Sequence, residues 1–153
     1  MAILKGGTII AADRTCAADI AITSEVISAI GPNLTVDTVI DATGRYIIPG
    51  GIDPHTHLEI PFMGTTTAET RASGTFAAAS GGTTMVVDHI ISSPTDLLTP
   101  LDQWEERAAR QASIDYGFHM SITGWSQALF DQMPQVMARG VNTFKHSWPT
   151  KAH

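Results

Sequence analysis

The sequence predicts an α/β chain: a partial (β/α)8 barrel over residues 47–146, preceded by a small β-sandwich segment over residues 1–46. Three observations carry this. Beyond residue 47, β-branched apolar runs alternate with stretches of helical periodicity, the pattern of parallel βα units. His55 and His57 stand at the end of the first strand of that series, and barrel folds keep their chemistry at the C-terminal ends of their strands. Before residue 47 only short β-like pieces occur, punctuated by Gly, Pro and Asn. Four strands and three helices also suit part of an open doubly wound sheet, but the histidine pair favours the barrel. A whole barrel takes roughly 250 residues, so these 153 residues hold about half of one.

In the first segment, Ile3-Leu4 leads to a Lys5-Gly6-Gly7 turn and then Thr8-Ile9-Ile10. Asp19 to Ile22, Val26 to Ile30 and Val39 to Asp41 are further strands, which together suggest a small antiparallel sheet or a sandwich. No catalytic constellation lies here, and a structural platform is the favoured reading. Cys16 follows Asp13-Arg14-Thr15 in an expected turn and is taken as structural.

The barrel series opens with Ile47-Ile48, a Pro-Gly-Gly turn and the run to His57. Thr66 with Glu69 forms a capping box for a helix that runs to Ser80 and stops at Gly81-Gly82. Thr83 to His89 is a buried strand. Thr99 caps a second helix with Pro100 at its first position. Leu101, Trp104, Ala108 and Ala112 mark its core face. Tyr116 to Thr123 is the next strand. Asp131 is the expected cap of a third helix, with Pro134 in the first turn and Gly140 as the stop; Val141 to Lys145 begins a fourth strand.

Apolar residues make up 43% and charged residues 16%, the balance of a globular chain. The net charge of -6 and the lack of a Lys/Arg cluster argue against a nucleic-acid or membrane-surface partner. No apolar run approaches 18 residues, and the start MAILKGGTII lacks the apolar region of a signal peptide. One cysteine excludes an intrachain disulfide, and a cytoplasmic location is the simplest expectation.

In an extended segment residues i and i+2 face the same way, so His55 and His57 present two imidazoles side by side, a two-ligand bite for a transition metal. An HxH alone is weak. In the setting GGIDPHTHLE it resembles the first metal motif of the amidohydrolase superfamily, and PFMGT narrows the resemblance to the dihydropyrimidinase and hydantoinase branch. SGGTTMVVDH, DYGFHMSIT and GVNTFK follow in family order, so the resemblance covers essentially residues 1–146.

That resemblance implies a metal-bearing barrel beside a small β-sandwich, and a binuclear site, usually zinc with manganese or cobalt as alternatives. The reaction it implies is hydrolytic opening of a small cyclic amide or ureide ring. His55 and His57 match first-metal ligands. Lys145 matches the lysine that takes up carbon dioxide and bridges the metals as a carbamate. Phe62 and Met63 match a loop that walls the substrate. Glu59 stands where dihydroorotases usually carry Arg, which favours neutral rings over anionic ones; allantoinases match PFMGT less well. A non-catalytic relative used for binding or assembly is the alternative, disfavoured because His55, His57 and Lys145 are all present. Asp88 and His89 face opposite ways on their strand and are read as structural, and His119 receives no role. A homotetramer is the expected assembly, again from the resemblance.

After Lys145 the family continues approximately HFMAYKGA, whereas this chain reads HSWPTKAH. One deleted nucleotide relates the two, so residues 147–153 are expected to be an out-of-frame tail. The family's substrate-orienting tyrosine then falls at Thr150, and its catalytic aspartate lies beyond the last residue. No catalytic residue is therefore assigned, and the chain as given is expected to be a poorly soluble, inactive fragment.

Overall fold

A computed structural model describes residues 1–62 and 64–146, with Phe62 described as backbone only. The expectations placed on the Phe62 and Met63 side chains, on Thr150 and on the 147–153 tail lie outside the described residues. The chain divides into two compact units, Met1–Pro49 and Gly50–His153.

The first unit holds β1 (Ala2–Ile10), β2 (Thr15–Thr23), β3 (Val26–Gly31), β4 (Thr38–Asp41) and β5 (Tyr46–Ile47). They form one sheet in the order β3-β2-β1-β4, with β5 also on β1. The sheet is mixed rather than antiparallel, because β4 and β5 both run parallel to β1. The expected turn at Lys5-Gly6-Gly7 is a bulge inside a continuous strand: the pairing with β2 shifts between Leu4 and Gly7. Gly6 adopts φ 75°, which glycine reaches without steric cost. Its amide donates to Asp19 Oδ1 at 2.9 Å, and Asp19 Oδ2 accepts from the Leu34 amide at 3.1 Å. Cys16 sits within β2 opposite Ile9, not in a turn, because ladder pairing holds its backbone extended. Val26, Ile27, Ile30, Val39 and Ile40 remain exposed. Among the described residues this unit has one sheet, not the two of a sandwich.

The second unit holds β6 (Gly51–Thr56), β7 (Pro61–Phe62), β8 (Thr65–Thr66), α1 (Arg71–Ser80), β9 (Thr83–Ile91), α2 (Leu98–Gln111), β10 (Asp115–Ile122), α3 (Gln127–Ala138) and β11 (Phe144–His146). β7 and β8 pair as a small hairpin. The rest form a parallel sheet in the order β11-β10-β9-β6. Ile47 belongs to the first unit's sheet through β5, so the series opens at Gly51 instead. Gly50 is required there, since a Cβ would lie 2.2 Å from the Thr84 side chain.

All three helix starts differ from expectation. Thr70, not Thr66, caps α1: its hydroxyl accepts from the Ser73 amide, and the Ser73 hydroxyl accepts from the Thr70 amide. Thr66 is drawn instead into β8. At α2 the Asp96 carboxylate, rather than Thr99, accepts from the Leu98 and Thr99 amides at 2.9 and 3.3 Å. Ser126 caps α3 through the Leu129 amide, so Pro134 falls inside the helix, and Asp131 accepts from Gln127 one turn back. At α2 and α3 an acceptor three or five residues upstream of the expected cap takes the first orphan amides, whereas at α1 the cap lies four residues downstream. The core face of α2 is as expected for Leu101, Trp104 and Ala108, which pack with Ile90, Met120, Ile122, Leu129 and Val136, whereas Ala112 lies past the helix end as its extended C-cap.

Candidate metal centre

Local pairing aims the histidines. Asp53 lies opposite Val86 and Thr56 opposite Asp88, so three steps along β6 match two along β9. The extra residue makes a bulge holding Pro54, which has no amide for the ladder, and His55. Thr56 turns toward the helices, its hydroxyl 3.3 Å from both the Val87 carbonyl and Asp88 Oδ1. His55 and His57 turn the other way, with their Nε2 atoms 3.0 Å apart. Two nitrogens at 2.0–2.1 Å from a tetrahedral ion stand about 3.3 Å apart, close to this spacing.

His89 joins them. Its ring centroid is 4.4 Å from that of His55 and 4.8 Å from that of His57. One ligand nitrogen from each of the three lies within 4.8 Å of the others. His89 is buried, at 4% exposure. Its Nδ1 is 3.4 Å from the Ser121 hydroxyl, and its Nε2 has no hydrogen-bond partner among the described residues. Burial, reinforced by His55, Lys145, His119 and His57, pushes its pKa down to about 4. Burial also lowers His57, helped by His55 and Lys145 and opposed by Asp88. Near neutrality both rings are uncharged and keep a lone pair for a cation.

Lys145 stands on β11 beside Ser121 of β10. The position expected for it on the histidine side is consistent with its charge acting on His57 and His89. His119 is level with His89 on the neighbouring strand, ring centroids 4.9 Å apart. Its Nε2 lies 2.8 Å from the Pro54 carbonyl, and its Nδ1 bonds the Thr143 hydroxyl.

Behind this face sits a buried ion pair. Asp88 Oδ2 accepts from Arg71 Nη1 at 3.0 Å, and Oδ1 accepts from the Leu58 amide at 3.0 Å. Arg71 also lies 5.6 Å over the Trp104 ring and 3.6 Å from Glu59. Glu59, at φ 56°, is held in this left-handed conformation with its carboxylate accepting from the Arg71 amide. The acid read from the sequence as a substrate selector is thus engaged at the start of α1.

His55 and His57 come together as expected. His89, read from the sequence as structural, lies in the same cluster. The alternation of Asp88 and His89 was legible, but the neighbour that places His89 level with the histidine pair depends on strand order.

A parallel βα sheet with three imidazoles clustered at its strand ends is an α/β fold with a candidate metal site, and the chain belongs to the amidohydrolase family, which matches residues 46–145. It is 42% identical over 147 residues to a dihydropyrimidinase of Arabidopsis thaliana, covering 94% of this chain and 28% of that protein. It is equally 42% identical over 147 residues to a D-hydantoinase of Geobacillus stearothermophilus, covering 94% of this chain and 31% of that one. A crystal structure of D-hydantoinase superposes with a TM-score of 0.89 at 40% identity, covering 93% of this chain and 32% of that chain. The chain therefore spans about a third of the length of the relatives it matches. The parallel sheet and its helices correspond to part of the barrel of that fold. No helix among the described residues is long and apolar enough to cross a membrane.

Proposed function

We propose that this chain supplies the first metal-binding part of a cyclic amidohydrolase that opens a dihydropyrimidine or hydantoin ring. The observation that carries the reading is the convergence of the His55, His57 and His89 nitrogens within 4.8 Å at the ends of neighbouring parallel strands. The donor chemistry fits a divalent ion, zinc first and manganese or cobalt otherwise: neutral imidazoles, one with a buried nitrogen that bonds nothing else. His55 and His57, whose Nε2 atoms stand 3.0 Å apart, would hold the ion. The Lys145 ammonium would lose one proton to give the free amine, which would add to carbon dioxide with release of a second, so that a repelling cation becomes an anionic carbamate. A bound divalent ion polarises the substrate carbonyl and lowers the pKa of water near it. Ser121 keeps the His89 ring oriented. A neutral ring is the preferred substrate, because Glu59 stands where an anion-binding Arg is expected in dihydroorotases.

The exposed apolar residues of β3 and β4 support the reading of residues 1–46 as one layer of a β-sandwich. A cytoplasmic homotetramer belongs to the same proposal.

Two measurements test it. Metal analysis of the purified chain is expected to find a divalent ion that His55→Ala and His57→Ala lose. Hydrolysis of dihydrouracil and hydantoin is expected from the protein extended to the length of its relatives. A folded chain that takes up no divalent ion ends the metal reading, and turnover of dihydroorotate without dihydrouracil replaces the substrate.

A further inference from the structure

We propose that His119 is a positioning residue that fixes the span between the histidine pair and Lys145. The proposal rests on the metal reading above and deepens it. Among the described residues β6 and β11 are the two outer strands of the parallel sheet, with β9 and β10 between them, so no ladder there joins the strand that carries His55 to the strand that carries Lys145. The His119 side chain, from β10, makes that link. It reaches over β9 to the Pro54 carbonyl at 2.8 Å, one residue before His55. On its other side it bonds the Thr143 hydroxyl, two residues before Lys145.

The chemistry of the partners assigns the protons. A carbonyl oxygen only accepts, so His119 Nε2 carries the hydrogen and Nδ1 accepts from the Thr143 hydroxyl. Both nitrogens are thereby used, and although its ring is 4.9 Å from that of His89, His119 has no lone pair left for a metal. Each anchor point is prepared by its own backbone. The bulge between Asp53 and Thr56 interrupts ladder pairing at Pro54, which leaves its carbonyl for His119. The Thr143 carbonyl meanwhile accepts from the Met120 amide at 3.0 Å, next to His119 on β10. Partners one shell out from a metal typically change its affinity ten- to a hundred-fold by orienting the ligands. His119 acts on two ligand-bearing strands at once.

Titration of the full chain with Co2+, followed by its visible absorption, tests this against His119→Phe, His119→Gln and Thr143→Val. His119→Phe keeps a ring and removes both bonds; it is expected to weaken Co2+ binding roughly ten- to a hundred-fold and to shift the absorption bands. Gln offers one donor and one acceptor, and is expected to recover part of both. Thr143→Val leaves His119 intact and is expected to move the spectrum in the same direction by less, which keeps the proposal testable if His119→Phe does not fold. Nitrogen NMR of the metal-free wild type is expected to show the Nε2-protonated tautomer at His119. Unchanged affinity and bands in His119→Phe overturn the proposal while leaving the metal reading intact. So does a silent Thr143→Val combined with no rescue by Gln, which would make His119 a direct ligand. A wild-type chain that binds no Co2+ ends the metal reading and this proposal with it.

Discussion

The two faces of the parallel sheet are made by the same strands and could hardly differ more. Toward the helices, β9 sends Val86, Asp88 and Ile90, and β10 sends Phe118, Met120 and Ile122, all buried. Away from them, alternate residues of the same strands are His89, His119 and Ser121, joined by His55, His57 and Lys145. One face is stabilised by apolar packing and one enclosed ion pair. The other gathers imidazoles, two of which, His57 and His89, have their proton affinity lowered by burial and by neighbouring charge, and one buried nitrogen bonds nothing among the described residues. Period-two alternation lets a strand serve both. The packed face holds the strands at a fixed spacing, and the opposite face can then present groups that do not stabilise the fold.

The largest effect that sharpens this contrast is expected at Asp88. Asp88→Ala removes the counter-ion of Arg71, which is 2% exposed, and an acceptor for the Leu58 amide. A buried charge stripped of its partner destabilises by about 3–5 kcal/mol. Glu59, at 3.6 Å, keeps the loss toward the lower figure. Urea unfolding measures it, and Asp88→Ala combined with Arg71→Leu is expected to recover much of the loss. A single variant that loses less than about 1 kcal/mol, within the range of an ordinary substitution, would remove the ion pair from the account of the packed face.

His89→Phe is the opposite experiment. It replaces a buried ring whose Nε2 bonds nothing with one of similar shape and no polar atom. Relieving an unsatisfied buried group gains up to about 1–3 kcal/mol. The variant is expected to unfold at equal or higher urea in the presence of a chelator, and to take up less Co2+ than wild type. Destabilisation by several kcal/mol would instead make His89 part of the core and erase the difference between the faces.

How much of this the sequence disclosed follows from the range over which each feature is determined. The His55 and His57 pair needs only two residues of extended chain, and the core face of α2 only four turns of periodic sequence, so both were legible. The helix starts were not: Thr66, Thr99 and Asp131 are competent caps, but β8 takes Thr66, and Asp96 and Ser126 reach the first free amides ahead of Thr99 and Asp131. The Lys5-Gly6-Gly7 bulge read as a turn because glycine at positive φ serves either. His89, His119 and the Arg71–Asp88 pair depend on which strands and helices are neighbours. Between 17 and 65 residues separate the partners in those contacts, and no local periodicity reports them.

The smallest effect is expected where charge pairing lies at the surface of the packed side. Arg139, at the C-terminal end of α3, bonds Asp102 and Glu105 of α2, and these two carboxylates raise its proton affinity. The Arg139 side chain is 33% exposed and Asp102 is 65% exposed, so water and salt screen much of the attraction. Exposed pairs contribute about 0.2–1 kcal/mol each. Arg139→Met keeps the aliphatic stem and is expected to lower stability by about 1 kcal/mol at low ionic strength, with the difference from wild type shrinking in 1 M NaCl, where screening acts over only about 3 Å. A loss of several kcal/mol that persists in salt would show that α2 and α3 are joined chiefly by charge. The apolar contacts of Leu101, Leu129 and Val136 would then no longer suffice to explain why this side of the sheet stays closed.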